Sequence, residues 1–75
     1  MNRIHQKFLN VILINLVKIS NRNIIEIGPG EGALTEEIVK QNPKSLSLIE
    51  KDFHLFEKLK LKFSNNKKFV QPRVI

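Results

Sequence analysis

The sequence predicts an α/β fold in which a small parallel sheet is covered by helices. Residues 24–27 form a β-branched run that predicts a buried strand, and residues 45–49 alternate between apolar and polar side chains, which predicts a second strand. An amphipathic stretch with helical spacing follows each of them. Strands that alternate with helices favour parallel pairing through right-handed crossovers. The expected order is a helix, then a βαβα unit, then the start of a third strand.

The first predicted helix contains an apolar run, residues 8–17, that is interrupted only by Asn10 and Asn15. The run has about half the ~20 residues needed to cross a bilayer as a helix. A secretory signal is the alternative, but residues 18–22 offer no small-x-small cleavage motif. We therefore expect a helix that faces the core. The side chains expected to be buried are Phe8, Ile12, Val17 and Ile19.

The other elements follow in order along the chain. Residues 33–41 predict a helix that ends at Asn42-Pro43, because proline disfavours the helical conformation in the residue before it. Residues 53–63 predict a second amphipathic helix. A third strand is expected to begin at residues 68–70 and to stop at Pro72. Residues 1–75 thus make at most one small domain.

Composition excludes several classes of protein. With no cysteine, the chain is neither a disulfide-stapled miniprotein nor a zinc protein built on thiolates, and its composition is compatible with a reducing cytoplasm. The net charge is +6, and residues 51–75 carry seven basic and two acidic side chains. This excess suits a polyanion such as RNA, or it is simply a lysine-rich solvated helix face. His5 and His54 lack partners at metal-ligand spacing.

A glycine loop joins the first strand to the next helix. Gly28 allows a sharp turn, Gly30 removes a β-carbon where a ligand approaches the backbone, and Gly32 is expected to let helix and strand pack closely. The spacing is Gly-x-Gly-x-Gly rather than the Gly-x-Gly-x-x-Gly of dinucleotide sites, and no Lys-Ser/Thr pair follows it. Because Glu26 and Glu31 flank a loop without lysine, a ligand with positive character is favoured over a polyphosphate.

A second acidic feature points to a nucleoside ligand. Glu50 comes directly after the second strand, where a carboxylate can accept hydrogen bonds from both hydroxyls of a ribose. Ligands of open parallel sheets bind at the carboxyl ends of the strands, where both features are expected. The alternative is a tight glycine turn together with a solvated acidic cap on the next helix.

Residues 26–35, Glu-Ile-Gly-Pro-Gly-Glu-Gly-Ala-Leu-Thr, closely resemble the first motif of the S-adenosylmethionine-dependent ribosomal RNA adenine dimethyltransferases. Residues 6–9, Gln-Lys-Phe-Leu, are similar to that family's upstream Gln-Asn-Phe-Leu motif, and residues 49–52 to its acidic end of strand 2. The resemblance runs from roughly residue 5 to residue 70 and corresponds to the front of the family's catalytic domain. It implies a partial Rossmann-like methyltransferase fold.

The resemblance also implies roles for individual residues. Leu9 and the backbone of Gly28 would line the cofactor site, Glu50 would hold the ribose hydroxyls, and Glu26 and Gly30 would lie near the methionine part of S-adenosylmethionine. The family transfers two methyl groups to the N6 of adjacent adenines in small-subunit ribosomal RNA. By resemblance, that RNA is the expected partner, the cytoplasm is the expected location, and no membrane is involved.

The chain departs from the family pattern in several places, among them His5, which replaces the glycine usual before Gln6. Lys7 replaces an asparagine that helps to bind the cofactor, and the stretch between Gln6 and Gly28 is several residues shorter. The family's later Asp-containing motif and its Asn-(Leu/Ile)-Pro-Tyr motif are absent from the 75 residues. The expectation is therefore a truncated, cofactor-binding portion of an rRNA-methylating enzyme that is inactive without a complementing chain.

The alternative function is a non-enzymatic remnant or a small basic module that binds RNA or protein. Its candidate contacts with RNA are Lys58, Lys60, Lys62, Lys67 and Lys68.

Overall fold

The computed structural model describes residues 3–66 and 70–74, with side-chain surroundings from residue 9 onward. The predicted order of elements is confirmed. The elements are α1 (Arg3–Leu16), β1 (Asn23–Ile27), α2 (Ala33–Lys40), β2 (Ser45–Glu50), α3 (Phe53–Lys62), a 3-10 turn (Ser64–Asn66) and β3 (Val70–Val74).

The three strands form one parallel sheet in the order β1-β2-β3. Ile27 of β1 lies opposite Ile49 of β2, and the amide of Gly28 donates a hydrogen bond of 2.8 Å to the carbonyl of Ile49. The two strands therefore end level with each other. This register places the glycine loop and Glu50 at the same edge of the sheet.

A single core lies on one face of the sheet. All three helices contribute to it, as do β2 and β3, and the alternating burial of β2 confirms the alternation in its sequence. The buried apolar residues are Ile14, Ile19, Ile38, Leu46, Leu48, Leu59, Phe63 and Val70.

The inward face of α1 differs from the prediction. Ile12 and Val17 are 41% and 57% exposed, and Ile19, which is buried, lies beyond the end of the helix. The side chain of Phe8 lies outside the described residues. The inward stripe is instead formed by Asn10 and Ile14, one turn apart. An apolar run with hydrophobic residues on every side does not by itself reveal which face meets α2.

The two outer strands also depart from expectation. Ile25 and Ile27 of β1 are exposed, because the described helices cover only one face of the sheet. Pro72 does not stop the third strand but lies within β3, opposite Leu48. Because β3 is an edge strand, it tolerates a proline at a position that does not have to donate to a neighbouring strand.

No helix in the described part of the chain is long and apolar enough to cross a membrane.

Candidate functional site

The glycine loop has the left-handed backbone that glycine adopts without strain. Gly28 has φ +68° and Gly30 has φ +59°. A β-carbon at either position would meet no atom within 4 Å, so space is open beside the backbone at both glycines. The main chain is therefore open to close approach at these two residues, which the spacing predicted for Gly30 and the family resemblance for Gly28.

Gly32 lies against a different element from the strand that was predicted. A β-carbon there would lie 3.0 Å from Cε2 of Phe63 and 3.2 Å from Cδ2 of Leu59. Both atoms belong to side chains of α3 or its C-cap, not to a strand. Gly32 thus lets the start of α2 pack against the end of α3, and the predicted helix–strand role is wrong.

Glu50 joins the end of β2 to the glycine loop. Its side chain is buried, with 5% exposure for the residue. Oε1 accepts a hydrogen bond of 3.1 Å from the amide of Gly30, and Oε2 accepts one of 2.9 Å from the amide of Asp52. A carboxylate has about four acceptor positions, and these two bonds from described residues fill two of them. The acid and the loop predicted to act together do lie together.

Glu26 is a second carboxylate beside the loop. Its Oε1 accepts a hydrogen bond of 2.5 Å from the hydroxyl of Thr35, a fully buried residue of α2. Burial raises the pKa of Glu26 above its ordinary value, although the hydrogen bond from Thr35 acts in the opposite direction. The carboxylate therefore sits in a partly desolvated position with one oxygen oriented by α2.

An open cavity of about 330 Å³ adjoins the loop. Its lining residues are Asn10, Glu26, Ile27, Gly28, Pro29, Glu31, Ala33 and Leu34.

The cavity separates the predicted site residues into three groups. Glu26 and Gly28 line it, while Gly30 and Glu50 are bonded to each other at the adjoining edge of the sheet. Leu9 is 40% exposed and is not among the lining residues. Sequence reasoning missed the neighbouring Asn10, which is 3% exposed. The available signal was its position: Asn10 is a polar residue within an apolar run, and it lies one helical turn before Ile14.

Lys62 connects α3 to the same loop. Its Nζ lies 2.8 Å from the carbonyl oxygen of Glu31 and 2.7 Å from Oε1 of Glu36. Glu31 lines the cavity, so the end of α3 braces one wall of it. This lysine therefore has partners within the fold, whereas the sequence suggested only a solvated or RNA-binding role.

The site fits S-adenosylmethionine, the cofactor implied by the resemblance. Open space beside Gly28 and Gly30 allows backbone contact, and Glu50 has acceptor positions left for hydroxyl groups. Glu26 and Glu31 bring acidic side chains to the cavity wall, which suits a cationic ligand. No group of three or more potential metal ligands is found among the described residues.

Comparisons with known proteins find ribosomal RNA methyltransferases among the relatives of the chain. The chain is 38% identical over 63 residues to ribosomal RNA small subunit methyltransferase A of Pelagibacter ubique, covering 84% of the chain and 24% of that protein. It is 50% identical over 68 residues to the protein of the same name from Sulfurihydrogenibium, covering 83% of the chain and 26% of the relative. The chain thus spans about a quarter of the length of these relatives.

A solved structure shows the same fold. It is that of a putative S-adenosyl-L-methionine-dependent methyltransferase from Methanococcus maripaludis, which matches with a TM-score of 0.74 and 22% identity. The match covers 92% of the chain and 32% of that protein. The α/β unit is therefore part of a Rossmann-like methyltransferase fold. The family model for ribosomal RNA adenine dimethylase matches residues 3–71, and the chain belongs to this family.

Proposed function

We propose that the chain is the S-adenosylmethionine-binding portion of an enzyme that methylates adenines of small-subunit ribosomal RNA. The observation that carries the proposal is the pair of hydrogen bonds by which Glu50 holds Gly30 and Asp52. These bonds fix an acidic side chain beside an open glycine loop, which is the arrangement that a nucleoside cofactor requires.

Each residue of the proposed site contacts a different part of the cofactor. Glu50 accepts hydrogen bonds from the ribose hydroxyls through its two remaining acceptor positions. The backbone at Gly28 and Gly30 contacts the ligand closely, and Glu26 attracts the positively charged methionine end. Leu9 remains a proposed apolar contact. When bound, S-adenosylmethionine supplies an electrophilic methyl group.

Catalysis needs a second element that positions the acceptor nitrogen. Neither the Asp-containing motif nor the Asn-(Leu/Ile)-Pro-Tyr motif expected by resemblance occurs in residues 1–75. Orientation of the two reactants supplies much of the rate in a transfer reaction. We therefore assign residues 1–75 to the front part of a methyltransferase domain, with the methyl transfer itself dependent on elements that these residues do not include.

The alternative, a basic module without a cofactor, is not favoured. One of its five lysines, Lys62, is bonded to Glu31 and Glu36 within the fold. Lys67 and Lys68 lie outside the described residues.

Titration calorimetry with S-adenosylmethionine tests the proposal. We expect saturable binding to the unmodified chain and loss of at least tenfold in affinity for Glu50→Gln, because an amide cannot accept from two ribose hydroxyls and two backbone amides together. Glu57→Gln makes the same charge change on α3, away from the loop, and should bind as the unmodified chain does. Absence of binding at millimolar ligand would reject the cofactor role.

A further inference from the structure

A second open cavity lies at the amino end of β1, the end opposite the glycine loop. It has a volume of about 400 Å³ and shares no lining residue with the cavity beside the loop. Its lining residues are Ile14, Asn15, Val17, Lys18, Ile19, Ser20, Arg22 and Gln41. The eight residues of α2 separate the two cavities, and at ~1.5 Å per residue they span about 12 Å. The second cavity is therefore a separate feature of the fold.

The two cavities also differ in charge. The wall of the first contains two carboxylates, whereas the second has Lys18 and Arg22 and no carboxylate among its described lining residues. We call it the basic cavity. Residues 14–25 and 41–49, which build this end of the sheet, contain no aspartate or glutamate. Neither Lys18 nor Arg22 forms an ion pair with a residue that the structure describes. Both cations are therefore available to an anionic ligand.

The helix ends beside the basic cavity do not cancel its charge. α1 and α2 both end here, and the C-terminal end of a helix carries a partial charge of about −0.5. The amide of Lys44 donates a hydrogen bond of 2.8 Å to the carbonyl of Arg22, which brings a third, exposed cationic residue to this end of the sheet. Three full positive charges exceed the about −1 that two helix ends supply. The surface is therefore positive overall.

The uncharged groups of the basic cavity narrow the class of anion. Asn15 and Gln41 contribute carboxamides, which donate and accept hydrogen bonds as base edges do. Ile14 and Ile19 are buried and give the wall an apolar part. A fatty acid would leave the carboxamides without partners, and inorganic phosphate would leave the apolar part uncovered. A nucleotide offers a phosphate, base edges and an apolar ring face, one for each kind of group.

We propose that the basic cavity binds a nucleotide of a single-stranded RNA, with the phosphate at Lys18 and Arg22 and the base against the apolar wall near Gln41. Phosphate oxygens are the usual partners of lysine and arginine in RNA complexes, and an unpaired base is free to enter a cavity. Lys44 extends the positive surface beyond the cavity, which suits the next phosphate of a strand better than a lone nucleotide. The choice of RNA rests on the proposed function, because an RNA is the substrate there.

Fluorescence anisotropy with a labelled oligouridylate, without S-adenosylmethionine, tests the proposal. Uridine lacks the adenine of the cofactor, so the probe is not a mimic of the ligand at the glycine loop. We expect Lys18→Gln and Arg22→Gln each to weaken binding at least about threefold, and to lower the slope of log affinity against log salt by about 0.7, the value for one phosphate contact on a single strand. Arg73→Gln makes the same charge change at an exposed residue of β3 and should alter neither quantity.

Amide chemical shifts locate the bound strand. On addition of oligouridylate the amides of Ser20 and Gln41 should shift, and those of Gly28 and Gly30 should not. Four results would overturn the proposal. They are no binding at low salt, equal losses in Arg22→Gln and Arg73→Gln, shifts confined to the glycine loop, and an affinity for uridine monophosphate equal to that for the oligonucleotide.

The test is independent of the cofactor. Lys18 and Arg22 do not line the cavity beside the glycine loop, so calorimetry with S-adenosylmethionine should give the same affinity for both variants as for the unmodified chain. Both side chains belong to exposed residues, and circular dichroism shows that the variants fold before binding is compared. Loss of RNA binding with an unchanged cofactor affinity separates the two sites, whereas loss of cofactor binding alone bears only on the proposed function.

Discussion

The amide of Gly30 donates to the carboxylate of Glu50 across 20 residues of sequence, and this hydrogen bond of 3.1 Å joins the two features that define the site. Gly30 has a positive φ, and a β-carbon there would meet no atom within 4 Å. The buried carboxylate supplies a fixed anchor at the end of β2. The hydrogen bond therefore fixes the loop without a ligand, so the binding proposed above would need little ordering of the loop.

Replacing Glu50 should destabilise the fold as well as the site. In Glu50→Gln a single carbonyl oxygen must serve two amide donors, those of Gly30 and Asp52, so one buried bond to a charged group is lost. We expect a loss of about 1.5–3 kcal/mol in the free energy of unfolding, measured by urea denaturation. Glu57→Gln should change it by less than about 0.5 kcal/mol. Equal effects of the two substitutions would contradict the anchoring role.

Gly32→Ala should be more damaging than Gly30→Ala. Both positions have positive φ, which costs an L-residue about 1–2 kcal/mol. At Gly32 the added methyl also meets Phe63 and Leu59 at 3.0 and 3.2 Å, and such overpacking adds about 1–3 kcal/mol. Urea denaturation of the two variants measures the difference. If Gly30→Ala were the more destabilised, the contact between the start of α2 and the end of α3 would not be important.

The raised pKa of Glu26 predicts a pH-dependent stability. Because burial raises its pKa in the folded state, the folded chain holds the proton to higher pH than the unfolded chain, whose pKa is near 4.5. Stability should therefore fall as the pH rises from about 4.5 through the folded pKa. Glu26→Gln has no such loss, so its melting temperature relative to the unmodified chain should increase between pH 4 and pH 7.

Thr35→Val keeps the carboxyl group of Glu26 and tests the effect of its hydrogen bond instead. The hydrogen bond from the Thr35 hydroxyl lowers the pKa of Glu26, and the substitution removes this bond. The pKa of Glu26 in the folded chain should therefore rise further, and the loss of stability with rising pH should extend to higher pH. A thermal-melt series across the same pH range measures it. If Thr35→Val had the same pH profile as the unmodified chain, the hydrogen bond would not influence the ionisation of Glu26.

The sequence predicted those features that depend on local pattern. The alternation in residues 45–49 gave β2 its correct buried face, and the glycine spacing located the turn and the edge shared with Glu50. Features that depend on which element packs where were missed. Ile12 and Ile14 are chemically equivalent in the sequence, and only the position of α2 decides that Ile14 is buried. Likewise, Gly32 packs against α3, an element more than 20 residues away in the chain.

Lys62→Met tests whether α3 braces the glycine loop. The substitution keeps an unbranched side chain but removes the contacts of Nζ with the Glu31 carbonyl and the Glu36 carboxylate. The side chains of Lys62 and Glu36 are both more than a third exposed. We therefore expect a loss of only about 0.2–1 kcal/mol in the free energy of unfolding, and a smaller loss at high salt. Affinity for S-adenosylmethionine should fall more clearly than stability, because Glu31 lines the cavity. Lys58→Met makes the same charge change at an exposed position of α3 and is the control. If both variants lost affinity equally, general charge rather than the Lys62–Glu31 contact would govern the site.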